Sequence, residues 1–154
     1  SSSSPVLIRL VKTRKIGSLG KGIFLDNLKN SEKVFIKVNE KKIRYYSIND
    51  TTELVFSLSG PKIIKAITRL AFEPWMGKEM QYRIQVLKDQ AIYETYFFQS
   101  EKSDQSMVME DREVVPGKWR SIDIQVPEGE HHYTIKLLDV GMTVYIRGME
   151  YEVE

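Results

Sequence analysis

The chain has 154 residues, 23 Lys+Arg against 21 Asp+Glu, a formal net charge of +2, 42% apolar residues and no cysteine. These proportions suit a globular domain with room for a core and argue against a disordered or collagen-like chain. Disulfide scaffolds, thiolate zinc sites and cysteine nucleophiles are excluded, and without a run of ~18 apolar residues no transmembrane helix is expected.

Ser1–Ser4 followed by Pro5 reads as a flexible tether over residues 1–5, of the kind that follows a removed leader or a lipid anchor. Residues 6–154 read as one β-sandwich domain. The charge is uneven: residues 1–50 hold 11 Lys/Arg and 4 Asp/Glu, whereas residues 51–154 hold 12 and 17. No nucleic-acid motif accompanies the basic third, which reads as a solvated, lysine-rich edge, and no nucleic-acid partner is expected. Gly17-Ser18-Leu19-Gly20-Lys21-Gly22 is glycine-rich but lacks the spacing of a phosphate loop, so it reads as a plain loop.

Period-2 alternation then dominates. Leu54, Phe56 and Leu58 alternate with Val55 and Ser57; Tyr82, Ile84 and Val86 with Arg83 and Gln85; Ile122, Ile124 and Val126 with Asp123 and Gln125; Tyr133, Ile135 and Leu137 with Thr134 and Lys136. Each run is a strand with one dry and one wet face. Candidate strands are 6–12, 22–25, 33–38, 42–48, 53–59, 62–72, 79–88, 91–99, 118–126, 131–138, 142–147 and 149–153. Asn39-Glu40 and Asp89-Gln90 stand at hairpin spacing, Ser59-Gly60-Pro61 reads as a break, and Pro127-Glu128-Gly129 reads as a type I turn. Gly141 and Gly148 mark two further bends, and a helical turn fits near 104–111. The fold class is therefore all-β, an antiparallel β-sandwich of jelly-roll type with about ten strands.

The aromatic residues carry the functional expectation. Trp119 is in phase with Ser121, Asp123 and Gln125, on the wet side of its strand, where an indole leaves a large apolar surface in water. Trp75 sits in a turn between two strands. Tyr145 is off the apolar phase of its strand, and of the adjacent Tyr45 and Tyr46 one points away from the core. An aromatic plane beside polar groups suits a sugar ring, so Trp75, Trp119, Asp123, Gln125 and Tyr145 are the candidate ligand-binding residues. The alternative is that they cover the second layer of the sandwich. No catalytic residue, metal ligand or cofactor is singled out. His131 and His132 are the only histidines and face opposite ways. Asp104, Glu110, Asp111 and Glu113 offer oxygen ligands to a calcium ion, but without a calcium-loop pattern they read as a solvated acidic loop. Arg69, in mid-strand, is expected to pair with a carboxylate such as Glu73.

Three stretches together carry a resemblance: Ile43-Arg44-Tyr45-Tyr46 leading into Leu54–Pro61, then Thr68-Arg69, then Val126-Pro127-Glu128-Gly129-Glu130-His131. Over residues 33–147 the chain resembles accessory β-sandwich domains of bacterial envelope proteins, of the jelly-roll, carbohydrate-binding-module-like type. The resemblance implies a sandwich fold and an extracytoplasmic setting, in the periplasm or at the cell surface, and carries over no binding residue. The expected role is non-catalytic, with a glycan or another envelope protein as partner. A structural or assembly domain anchored by Trp119 or Trp75 is the second reading. A jelly-roll hydrolase is the least favoured, because such metal enzymes need several histidines.

Overall fold

A computed structural model describes residues 23–24 and 32–153. The expected tether, the strand at 6–12 and the glycine-rich loop lie outside the described residues. Among the described residues there are ten strands and no helix: β1 (Ile23–Phe24), β2 (Glu32–Val38), β3 (Lys41–Asn49), β4 (Leu54–Phe72), β5 (Glu79–Lys88), β6 (Ala91–Glu101), β7 (Ser106–Val108), β8 (Val115–Pro116), β9 (Arg120–Leu137) and β10 (Thr143–Glu152). They form one antiparallel sheet in the order β6-β5-β9-β4-β10-β3-β2-β7, with β1 on β10 and β8 on β4.

The two longest strands make the sandwich. β4 and β9 pair from Leu54↔Ile135 to Thr68↔Arg120, with a register shift at Gly60, which faces both Glu128 and Gly129. Such a bulge bends both strands. On one side of the bend, β5 and β6 extend the sheet beyond the second half of β9. On the other, β10, β3, β2 and β7 extend it beyond the second half of β4. The sheet so folds over itself into two layers, and the dry faces meet. Phe56, Tyr82, Ile84, Val86 and Tyr133 from the first layer pack with Tyr46, Ile64, Ala66, Ile122, Ile124 and Ile146 from the second. The rings of Phe56 and Tyr133 stack at 5.5 Å, and between the layers the buried hydroxyls of Thr68 and Tyr82 lie 2.8 Å apart. The alternation read from the sequence is the one observed: Ile122, Ile124 and Val126 are buried, and Asp123 and Gln125 are exposed.

Three expected breaks are not breaks. The candidate strands 53–59 and 62–72 are the single strand β4, 118–126 and 131–138 are β9, and 142–147 and 149–153 are β10. Turns and bulges draw on the same residues, because both need special backbone and tolerate a missing donor. Pro61 is skipped by the ladder, so its absent N–H costs no bond there. Gly60 lies so close to the partner strand that a Cβ would stand 1.8 Å from the Pro127 carbonyl oxygen. Gly129 has φ +96°, so Pro127-Glu128-Gly129 forms the bulge and not a type I turn. The two tight hairpins stand where expected, with positive φ at Asn39 (55°), Asp89 (50°) and Gln90 (71°).

The segment after β6 is strapped down. In place of a helical turn near 104–111, β7 pairs with β2. Asn39 N–H donates to Gln105 O (2.9 Å), Met109 N–H to Phe35 O (3.0 Å) and Gly117 N–H to Leu70 O (2.7 Å). Beneath this strap, on the outer face of the second layer, Val34, Ile36, Tyr45, Ala71, Val108 and Tyr145 form a second buried cluster.

Candidate functional site

The residues leading into β9 run beside the free edge of β6. Lys118 N–H donates to Glu101 O at 2.8 Å, and Arg120 Nε donates to Gln99 O at 2.9 Å. On this edge the Trp119 indole is held 52% exposed. Beside it opens a groove of about 740 Å³, bounded by Trp119, Arg120 and Ser121 on one side and by the strap residues 103–106 on the other, with Arg69 and Lys118 also lining it. The strap wall is polar: Ser103 and Ser106 share a hydroxyl–hydroxyl bond of 3.0 Å, and Gln105 N–H donates to Ser103 Oγ.

Arg69 is 6% exposed. Its Nε donates to Tyr45 Oη (3.0 Å), and its Nη1 donates to Gly117 O (2.9 Å) and Ser106 Oγ (3.3 Å). The expected carboxylate partner is thus replaced by a phenol, a carbonyl and a hydroxyl. The register explains this: Arg69 stands opposite Tyr145 on the outer face, where the strap delivers the Gly117 carbonyl to it. Arg120 likewise donates only to carbonyls, those of Gln99 and Trp119. Burial pushes the Tyr82 hydroxyl up to about 12, while the Thr68 hydrogen bond and then Arg120 and Arg69 pull it back.

The candidate residues separate. Trp119 lines the groove, and Asp123 and Gln125 lie exposed further along the same face of β9, opposite Lys65 and Ile63. Trp75 is 63% exposed in its turn but does not line the groove. Tyr145 is a correction: it is 6% exposed, within the second cluster, and burial pushes its hydroxyl up to about 12. Alternation assigns a residue to a face but does not say whether a strap covers that face. Tyr45 and Tyr46 do point opposite ways, and both are buried, one in each cluster.

Two features escaped the sequence reading. One is the convergence of Arg69, Lys118 and Arg120, which are brought together only by the sandwich. The other is Phe97, 73% exposed on the outer face of β6 beside a shallow depression of about 420 Å³ lined by Gln81, Arg83, Gln99 and Asp139. Its signal was present: Phe97 and Phe98 are adjacent in a strand, so one must face out. Phe98 packs against Tyr82 at 5.4 Å.

The histidines hold a turn. Asp89 accepts from His132 N–H (2.9 Å) and bonds His131 Nδ1 (2.8 Å), which raises the imidazole pKa and lowers that of the carboxyl. His132 Nδ1 lies 2.6 Å from Ser57 Oγ on the cross-strand neighbour. In the acidic segment, Glu110 accepts from Phe35 N–H and Asp111 from Glu113 N–H. Among the described residues no three His, Asp or Glu cluster as metal ligands.

No family model and no curated protein matches this chain. Among solved structures it is similar to a family GH115 4-O-methyl-alpha-glucuronidase with specificity for decorated arabinogalactans, at 22% identity and a TM-score of 0.49, over 87% of this chain and 18% of that one. It is similar to a carbohydrate-binding module, CBM36, in complex with calcium and xylotriose, at 7% identity and a TM-score of 0.49, over 84% and 97% of the two chains. An exo-beta-1,3-galactanase from Phanerochaete chrysosporium matches at 8% identity and a TM-score of 0.48, over 86% and 29%. The chain thus spans under a third of either enzyme and nearly the whole module. By its own strand order and core it is an all-β, antiparallel sandwich. With TM-scores below 0.5 these likenesses carry no functional argument, and the function is argued from the groove.

Proposed function

We propose that this chain is a non-catalytic module that binds an oligosaccharide in the groove beside Trp119. The observation that carries this is the indole itself, half in water at the sheet edge and flanked by hydroxyl, amide and guanidinium groups. An exposed apolar plane gains by covering, and a pyranose face of C–H groups covers it while its hydroxyls bond the polar rim. The chemistry is stacking and hydrogen bonding, with no covalent bond made or broken. An extracytoplasmic setting in a bacterial envelope follows the resemblance of residues 33–147 and is tested by cell fractionation.

The test is a fluorescence titration of the Trp75→Phe chain, in which Trp119 is the only indole, with a panel of soluble polysaccharides. A saturable spectral shift that is lost in Trp119→Ala, with the melt of that variant unchanged, supports the reading. Silence with every polysaccharide, together with Trp119-dependent self-association in sedimentation, would instead favour an assembly domain.

A further inference from the structure

We infer that the ligand of the Trp119 groove carries a carboxylate, so that the module recognises an acidic, uronate-containing glycan. This rests on the glycan reading above and narrows it. Three cations, Arg69, Lys118 and Arg120, line the groove against one carboxylate, Asp104. Lys118 is engaged by Glu101 at 3.5 Å, but both side chains are about half exposed, so the pair screens little. Neither Arg69 nor Arg120 forms an ion pair among the described residues. Asp111, Glu73 and Glu110, which act through space on Tyr145 opposite Arg69, form no ion pair with Arg69 among the described residues and reach it only at a distance.

Burying a guanidinium is costly unless its charge is answered. Here the hydrogen-bond acceptors of Arg69 are neutral, and the Tyr45 ring 6.0 Å from its guanidinium answers the charge only in part. Both guanidiniums line the same groove. Arg120 follows Trp119 in the chain, bonds its backbone carbonyl and lines the groove with it. A neutral sugar would use the indole and the rim and leave this potential unmatched. A uronate offers the same stacking face plus a planar anion that the guanidinium fork fits.

The experiment titrates the Trp75→Phe chain, at fixed ionic strength, with polygalacturonate, with its carboxyl-reduced neutral form, and with dextran sulfate. Polygalacturonate is expected to bind about tenfold or more tighter than the reduced polymer, as charge-assisted bonds allow. Arg120→Gln should close that gap by weakening the acidic polymer more than the neutral one. Lys118→Gln, which gives up only an exposed ion pair, should narrow the gap as well and serves as the second variant if Arg120→Gln melts early. A Lys88→Gln variant on the β5–β6 hairpin, at the far end of those strands from Gln99 and Glu101 and outside the groove lining, should keep it.

Equal binding of the acidic and neutral polymers overturns the inference and leaves the glycan reading standing. Loss of the preference in the hairpin variant, with Arg120→Gln unaffected, overturns it in favour of general surface charge. Binding of dextran sulfate without a uronate preference overturns the choice of anion. Binding of no polymer overturns both readings.

Discussion

Replacing Gly60 by alanine tests the bend on which the sandwich depends. The added Cβ would stand 1.8 Å from Pro127 O, 2.6 Å from Pro127 C and 2.6 Å from Val126 O, whereas ordinary contacts begin at 3.4 Å. The obstacle is backbone on the facing strand, so no rotamer relieves it; β4 and β9 must part or lose register where they turn from one layer to the other. Overpacking a core with flexible neighbours costs about 1–3 kcal/mol. With a rigid obstacle, Gly60→Ala should cost about 3 kcal/mol or more, or roughly 6–12 °C in melting temperature for a chain of this size. Two other glycines calibrate the assay. Gly129→Ala meets nothing nearer than 3.8 Å but must hold φ at +96°, so it should lose about 1–2 kcal/mol. Gly77→Ala meets nothing nearer than 3.9 Å and carries no such φ, so it should stay within about 0.5 kcal/mol. Urea midpoints of the three variants give the ranking. A Gly60→Ala midpoint no lower than that of Gly77→Ala would refute the bulge as the origin of the fold-over.

Ile124 is buried between the layers and Asp123 is exposed beside it, so Ile124→Ala should cost about 2–5 kcal/mol and Asp123→Ala less than about 0.5 in the same melts. Tyr145→Ala should cost about 3 kcal/mol or more by opening a cavity under the strap, in contrast to a ligand contact, whose loss would spare the midpoint. The His131–Asp89 bond gives a pH signature. The imidazole pKa is raised above 6.5 on folding, so its contribution is present below 6.5 and is lost as pH rises through the folded value. The carboxyl pKa is lowered below 3.8, so its contribution is present above 3.8 and is lost as pH falls through the folded value. The midpoint difference between the parent and His131→Gln should therefore be greatest near about pH 5 and shrink toward about pH 9. A difference that grows with pH would contradict the assignment.

The dry faces of the sandwich were legible in the sequence because period-2 alternation is a direct print of the pleat. Ile122, Ile124 and Val126, and Tyr82, Ile84 and Val86, lie where that alternation puts them. The continuity of β4 and β9 was not legible, since Gly60, Pro61 and Gly129 are as fit for a turn as for a bulge, and only the cross-strand register distinguishes the two. Trp119 was legible as an exposed indole from its phase. Tyr145 was misread by the same rule, because the strap that covers it is contributed by residues some thirty to forty positions earlier in the chain. The groove's cations could not be read at all: Arg69 comes from β4, Lys118 from the approach to β9 and Arg120 from its first position, and their meeting is a product of the fold.

The most direct test of the glycan reading follows the two indole N–H signals of the nitrogen-15-labelled chain, assigned with Trp75→Phe, during titration with uronate oligosaccharides and with their neutral counterparts. The account predicts that the Trp119 signal shifts saturably and the Trp75 signal stays in place, with the larger shift at lower concentration for the acidic series. Movement of Trp75 alone, or of neither indole at saturating sugar, would contradict it.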